Sequence, residues 1–534
     1  MFLTLLLAVL VGCQTGLNIE VETNETTEIS PLIITESMYA VIGEQIPNPL
    51  SLEIVKEAFT RLSPETKGDI TLDDIQATHK YIAFTPANED ELYAVMDINE
   101  EDIILFSYPQ DYVISDGIVV PDERFRTNGF SYRWAYVPID FDLSQVGCPY
   151  VHYYDICSLR ESDVTKSGRV VTTELLDALE RETYALCGRD LVATPQTKGS
   201  NVTPYGRIRF YDDYFYEYRG VNGLSIRTVR GTHSSYTHCN NDGTFVSADS
   251  FKYAFNYEIH FSRTDFVIWL GTSTDEITYV FHSYTGPLYM DYYDFAARFH
   301  ATISKAAIVY YYGDNCGLRR PPMKNDNGTA RLGIHARTDD GGNVLGNFGV
   351  DERWILNDRP VLNIYCRANT VLLSNVEMYA TTMHELAHAS HWRNNQATFN
   401  ATERRVTESF ARGVQWLLTS SAYPGYSCAS QYFRNSYTGI VQDLYDGYGY
   451  KTSPTYADWY YVLVDGEYVF MLIGNNIEKT YYDCVSGFTA AQIEVAVRNS
   501  TTWNQWESNL INYYPNIANG TDVATSFDYW IAVQ

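Results

Sequence analysis

The sequence predicts an α+β multidomain fold with the chemistry concentrated in its last 250 residues. Three observations carry this. The chain has 534 residues, several times the usual size of one hydrophobic core. Residues 203–272 are dominated by period-two alternation, whereas 374–422 show helical spacing. Between them lies a run of short apolar segments separated by turn residues.

Residues 46–200 read as a mixed module. Ser51 to Leu62, Asn88 to Met96 and Thr173 to Leu186 have helical spacing, Thr71 with Asp74 has the form of a helix cap, and Ile103 to Phe106 reads as a strand. In residues 203–272, Phe251, Tyr253, Phe255, Tyr257, Ile259 and Phe261 alternate with polar or small residues. That is a half-buried strand. Gly206 to Tyr211 and Leu224 to Val229 are earlier strands, and Asn241-Asp242-Gly243 is a turn. Together they predict a small β-sandwich. Within residues 285–534, Ile308 to Tyr311, Arg331 to Ala336 and Val361 to Cys366 are strand candidates, followed by two long helices and a Tyr-rich mixed region.

Net charge is −28, from 38 Lys and Arg against 66 Asp and Glu. Such a field repels phosphate backbones, which excludes nucleic acid as a partner. Phe2 to Val11 is an apolar run too short to span a bilayer, and it ends in Leu10-Val11-Gly12-Cys13. Residues 1–12 therefore read as a signal peptide. Cys13 resembles the lipidated cysteine of a bacterial lipobox, although no Lys or Arg precedes the run. The expected location is the cell surface or periplasm, held by lipid, with a secreted soluble form as the alternative. Residues 13–45, rich in Thr, Asn and Glu, read as a flexible tether. Nine cysteines are present; setting Cys13 aside leaves eight, which in an exported chain allows four disulfides, Cys148 with Cys157 among them.

The sharpest motif is His384-Glu385-Leu386-Ala387-His388. Ser374 and Glu377 form a capping box before it, and Val376, Tyr379, Ala380, Met383 and Ala387 give helical apolar spacing. Histidines four apart on a helix project from one face and can share a Zn²⁺ ion at ~2.0–2.1 Å each. Glu385, one residue on, is placed to take a proton from a water activated there. A catalytic zinc site needs a third protein ligand. Glu408 opens a second amphipathic stretch, with nineteen residues between it and His388, and this resembles the gluzincin arrangement. Glu403 lies about one and a half turns earlier and is the less favoured ligand. His391 shares the motif's face, but three ligands from one straight helix rarely converge, so a helix-end or substrate-contact role is expected. Tyr437 and Tyr426 are candidates for stabilising a developing oxyanion. Residues 361–367 or 331–337 are candidates to hold a substrate as an added strand.

More of the chain carries a resemblance. Tyr108-Pro109-Gln110-Asp111-Tyr112, Tyr136 to Phe141, His384 to Trp392 and Glu408 to Trp416 resemble exported Bacteroidetes-type lipoproteins described as zinc-binding metallopeptidases. Residues 203–272 are similar to the carboxypeptidase-regulatory-like sandwich such proteins carry. The resemblance implies a zincin-like catalytic domain over 285–534, zinc as cofactor, His384, His388 and Glu408 as ligands, Glu385 as base, and protein or peptide as substrate. One position departs: thermolysin-like gluzincins have an Asp four residues after the ligand Glu, and here it is Arg412. A non-catalytic surface lipoprotein that binds glycan or peptide on a zincin-like scaffold is the alternative; an intact Glu385 argues against it.

Overall fold

The computed structural model describes residues 39–98, 103–120, 122–194, 201–324, 331–342, 344–350, 360–426, 437–453, 459–464, 467–472 and 479–532. The chain is mixed α and β, with many small sheets and helices of up to 20 residues. It divides into two compact units, Pro31–Lys305 with Lys324–Thr338, and Ala306–Met323 with Asp339–Gln534. No helix among the described residues is long and apolar enough to cross a membrane.

The first unit is built on sheets. One runs in the order Tyr39–Ala40, Gly117–Val119, Thr278–Tyr284, Phe255–His260, Ser225–Arg230, His233–His238. A second, antiparallel throughout, runs Tyr150–Ile156, His79–Phe84, Arg133–Pro138, Ile104–Phe106. A third centres on Tyr205–Asp212, flanked by Glu217–Arg219 and Thr244–Val246, with Leu288–Tyr292 parallel to it. Sheet-on-sheet packing is present: Phe245 meets Tyr257 edge-on at 5.8 Å, and the Tyr257 hydroxyl donates to the Tyr205 carbonyl. This layering is not confined to 203–272. Tyr81, Trp134 and Tyr136 of the second sheet share one buried cluster with Val229 and Val280 of the first. The residues expected to form an N-terminal module and a β-sandwich fall within one compact unit, where strands distant in sequence complete each other's sheets.

The local helix signals hold. Helices run Leu52–Arg61, Glu89–Met96 and Thr173–Leu186, and Asn88 and Thr172 cap the second and third. Thr71 and Asp74 form their reciprocal cap around a single 3-10 turn, Leu72–Asp74. Two local expectations are corrected. Ile308 to Tyr311 is helical, the end of Phe295–Tyr312, because the preceding Ala-rich stretch outweighs a two-residue β-branched pair. Residues 39–45 are not tether: Tyr39–Ala40 and Ile42–Gln45 are paired strands. Cys13 and residues 14–38 lie outside the described residues, as does Cys428.

The seven described cysteines are free, so the disulfide expectation fails for them. Cys148 and Cys157 flank the extended strand Tyr150–Ile156 and belong to different core clusters. Seven extended residues span roughly 23 Å, against the ~4.4–6.8 Å between Cα atoms that a bridge requires. Burial pushes both thiols up to about 12.

The second unit is mainly helical around a small sheet. Its site-bearing elements are strand β1 (Gly346–Val350), strand β2 (Pro360–Ala368), helix α1 (Asn375–Asn394), helix α2 (Arg404–Ala422) and the short helix α3 (Ile440–Tyr445). β1 ends its sheet and pairs antiparallel with β2, Gly346 opposite Ile364. Helices α1 and α2 pack along each other, and α3 packs on α2. Gly413 permits that second contact: a Cβ there would fall 2.2 Å from Val441 Cβ. Three further helices, Ala490–Arg498, Trp503–Tyr513 and Gly520–Ala532, buttress this pair; the Trp530 indole N–H donates to Asp443 Oδ2 at 2.8 Å.

Candidate metal centre and its surroundings

Helix α1 begins where the sequence says it should. The Ser374 hydroxyl accepts from the Glu377 N–H, and the Glu377 carboxylate accepts from the Ser374 N–H at 2.8 Å, a closed capping box. From that start the helix runs buried for most of its length. Its far side is fixed at Ser390, whose hydroxyl donates to the Arg319 carbonyl at 2.6 Å and to Glu494 Oε1 at 3.2 Å. Rotation about the helix axis is thereby set, and with it the direction of His384 and His388.

Those two side chains and Glu408 come together. His384 Nε2 lies 3.1 Å from His388 Nε2 and 3.2 Å from Glu408 Oε2, and His388 Nε2 lies 3.4 Å from the same oxygen. Among the described residues this is the one set of His, Cys, Asp and Glu side chains arranged to share a metal ion. The second carboxylate oxygen, Oε1, faces Arg404 Nε at 3.4 Å. Arg404 sits one turn ahead of Glu408 with its side chain 72% exposed, and it also hydrogen-bonds Tyr437.

Glu403, the competing carboxylate, points elsewhere. It is the N-cap residue of α2, and its Oε1 accepts from the Trp503 N–H at 2.6 Å. It fastens α2 to the helix Trp503–Tyr513.

The electrostatics follow from burial and proximity. Burial lowers the His384 imidazole to about 3, against the pull of Glu408. His388 is depressed by burial as well, but hydrogen bonding and charge from Glu408 reverse the balance and raise it. Glu408 is raised by burial, yet the two imidazoles hold it well below the usual carboxylate range. Burial raises Glu385 to about 7.

Strand β1 lies directly on this helix. A Cβ at Gly346 would meet Thr381 Cγ2 at 2.7 Å and Glu385 Cγ at 3.1 Å, so only glycine allows the approach. Two residues on, the Phe348 N–H donates to the Glu385 carboxylate. The Phe348 ring stacks on His388 at 6.4 Å and meets Phe399 edge-on at 5.6 Å. The strand beside the motif is thus β1, and not either segment singled out from sequence. Residues 361–367 belong to β2, one strand further in, and 331–337 form part of Leu332–Asp340 in the other unit, parallel to Phe266–Leu270. Alternation alone does not reveal which strand is outermost, because pairing order is non-local.

Tyr437 is at the centre, its ring 6.2 Å from that of His384 and under the Arg412 guanidinium at 4.6 Å. Tyr426 is not; its hydroxyl accepts from Gln415 Nε2 at 3.0 Å. Arg412 in turn donates to Gln415 Oε1 at 2.9 Å. The His384 Nδ1 atom is buried with no hydrogen-bond partner among the described residues, which fits the absence of an acid at position 412. His391 is neither at the helix surface nor at the ligand point. It is 2% exposed, packed between Phe399 at 5.1 Å and Phe410 at 6.0 Å, and burial depresses it to about 3. Sequence reasoning missed Gly346, Phe348 and Arg404. A basic residue four before the ligand Glu was a visible signal for the last.

No family model matches the chain, and no curated protein or solved structure matches it either.

Proposed function

We propose that the second unit is a zinc-dependent peptidase centre, with His384, His388 and Glu408 as ligands and Glu385 as general base. The observation that carries this is the triangle of donor atoms. Ligands held tetrahedrally at ~2.0–2.1 Å stand about 3.3–3.4 Å apart, and the three edges are 3.1, 3.2 and 3.4 Å. Two imidazole nitrogens and a carboxylate oxygen aimed at one point suit zinc's preference for nitrogen and oxygen donors. Zinc bound there would acidify water and polarise a carbonyl.

The chain's own residues account for the rest. Glu385, raised toward neutrality by burial, is poised to accept a proton and return it to a leaving amine. The Phe348 N–H orients the Glu385 carboxylate. Arg404 holds the second oxygen of Glu408, leaving the first for the shared point. Tyr437, over His384 and tied to Arg404, has a phenolic proton suited to a developing oxyanion. The exposed Arg404 and the terminal strand β1 leave room for an extended peptide beside the cluster.

The experiment compares the purified chain with Glu385→Gln on a peptide library, with and without a chelator. Chelator-sensitive cleavage falling about 10²–10⁴-fold in the variant, at unchanged zinc content, is the expected result. Zinc in both proteins with cleavage in neither would favour a binding scaffold. Anchoring through Cys13 and action at the cell surface belong to the same proposal and are tested by metabolic labelling with a fatty acid, which Cys13→Ala should abolish.

A further inference from the structure

The sheet-rich unit holds a cavity of about 380 Å³, within the ~300–1,000 Å³ typical of small-molecule sites. In a chain of net charge −28, its wall is locally basic: Arg160, Arg189, Arg230 and Lys252 line it against Glu180 and Asp190. Three of these residues, Arg189, Arg230 and Lys252, form an ordered stack with Tyr184 and Tyr253. The Arg189 guanidinium lies 5.3 Å from the Tyr184 ring; Arg230 lies 5.7 Å from the same ring and 5.3 Å from that of Tyr253; Lys252 follows at 5.6 Å from Tyr253. All are within reach of cation–π attraction.

Two of the three cations are neutralised. Arg230 pairs with Glu180, and Lys252 pairs with Asp177. The third is not: Arg189, half-buried, ends the stack with no carboxylate partner among the described residues, and Arg160, exposed at the edge of the same wall, likewise has none. The Arg189 fork, partly withdrawn from water without a counterion, favours a carboxylate, which it can grip through two parallel hydrogen bonds. The rest of the wall mixes apolar side chains, Leu50, Leu179 and Phe251 among them, with hydroxyls and amides including Asn48, Tyr136 and Ser158; the Asn48 amide donates to the Tyr136 hydroxyl at 3.0 Å, so these polar groups are held in place.

We propose that this cavity binds a small polyhydroxylated carboxylate, a sugar acid of the uronate kind, with Arg189 and Arg160 on the carboxylate and the amide and hydroxyl wall on the ring. The site is separate from the metal centre, and its test does not depend on hydrolysis. Calorimetric titration of the whole chain uses three probes: glucuronate, glucose 1-phosphate and glucose. Saturable glucuronate binding is expected, with none for glucose. Arg189→Met should weaken glucuronate about tenfold or more, and Arg160→Ala should weaken it to a lesser degree. Arg160→Ala alters an exposed side chain and carries the test alone if Arg189→Met does not fold. Equal binding of glucose, binding of glucose 1-phosphate without glucuronate, no binding of glucuronate, or unchanged affinity in the folded variants would each overturn the assignment.

Discussion

Two buried assemblies of histidine and carboxylate stand among the described residues, and they are built on opposite plans. In the sheet-rich unit, His260 Nε2 meets Glu258 at 2.9 Å while its Nδ1 faces Glu276 at 3.7 Å. Arg227 pairs with the same Glu258 at 3.2 Å, and the Tyr108 hydroxyl donates to it at 2.6 Å. Glu258 serves both cations and Glu276 adds a second contact to His260, so two carboxylates balance one guanidinium and one imidazolium. Burial opposes these charges, but their mutual attraction wins: it raises His260 to about 9 and lowers Glu258 and Glu276 to about 2. In the helical unit, by contrast, two histidines and one carboxylate direct single atoms at one point. The first assembly is closed; the second converges on one point, as a ligand set would. Closure and convergence, rather than residue type, separate a structural ion network from a ligand set.

The largest expected effect comes from opening the closed network. Glu258→Gln leaves Arg227 and His260 short of a buried counterion and should cost about 3–5 kcal/mol, read by denaturant unfolding of the sheet-rich unit. Zinc content should not change; a coupled loss of zinc would show that the two assemblies are not independent. Arg404→Ala works on the converging set from outside. By freeing the second oxygen of Glu408 it should weaken zinc about 10–100-fold, measured against a competing chelator, whereas equal affinity would deny Arg404 its positioning role. Gly346→Ala should leave zinc in place yet lower kcat/KM about tenfold, because β1 must lift from Thr381 and Glu385. Loss of zinc with unchanged turnover of the loaded fraction would show the strand to matter for ligation instead.

The smallest effect is one of pH. The folded-state pKa of His260 is raised, so its stabilisation is complete below ~6.5, the unfolded value, and is lost as pH rises through about 9. Glu258 and Glu276 are lowered, so theirs is complete above ~4.5 and lost as pH falls toward about 2. Melting temperature of the sheet-rich unit should therefore decline between pH 6.5 and 9, and His260→Gln should flatten that alkaline limb. An identical slope in the variant would place the alkaline sensitivity elsewhere.

What could be read from the sequence is what short-range physics determines. Thr173–Leu186 has the bounds its periodicity implies, the Ser374–Glu377 box starts α1, and spacing along one helix puts His384 and His388 on one face. Glu408 was legible because α2 is a single amphipathic helix after a short connection. Choices that depend on distant pairing were not. Nothing local says that Tyr39–Ala40 joins a sheet with Ser225–Arg230, that β1 lies outside β2, or that Cys148 and Cys157 are held apart by a strand. Ile308 and Val309 favour a strand by propensity and sit in a helix because their Ala-rich neighbours do. The buried Glu258 and Arg227 gave no signal either, since their pairing spans two strands.

The central claim is that α1 and α2 together furnish a three-ligand zinc site, and elemental zinc content is its most direct test. Four proteins suffice: the whole chain, His388→Ala, Glu408→Ala and Glu403→Ala. The account predicts stoichiometric zinc in the whole chain and in Glu403→Ala, with loss in His388→Ala and Glu408→Ala. A chain that takes up no zinc, or one that keeps it without Glu408 and loses it without Glu403, would contradict the account.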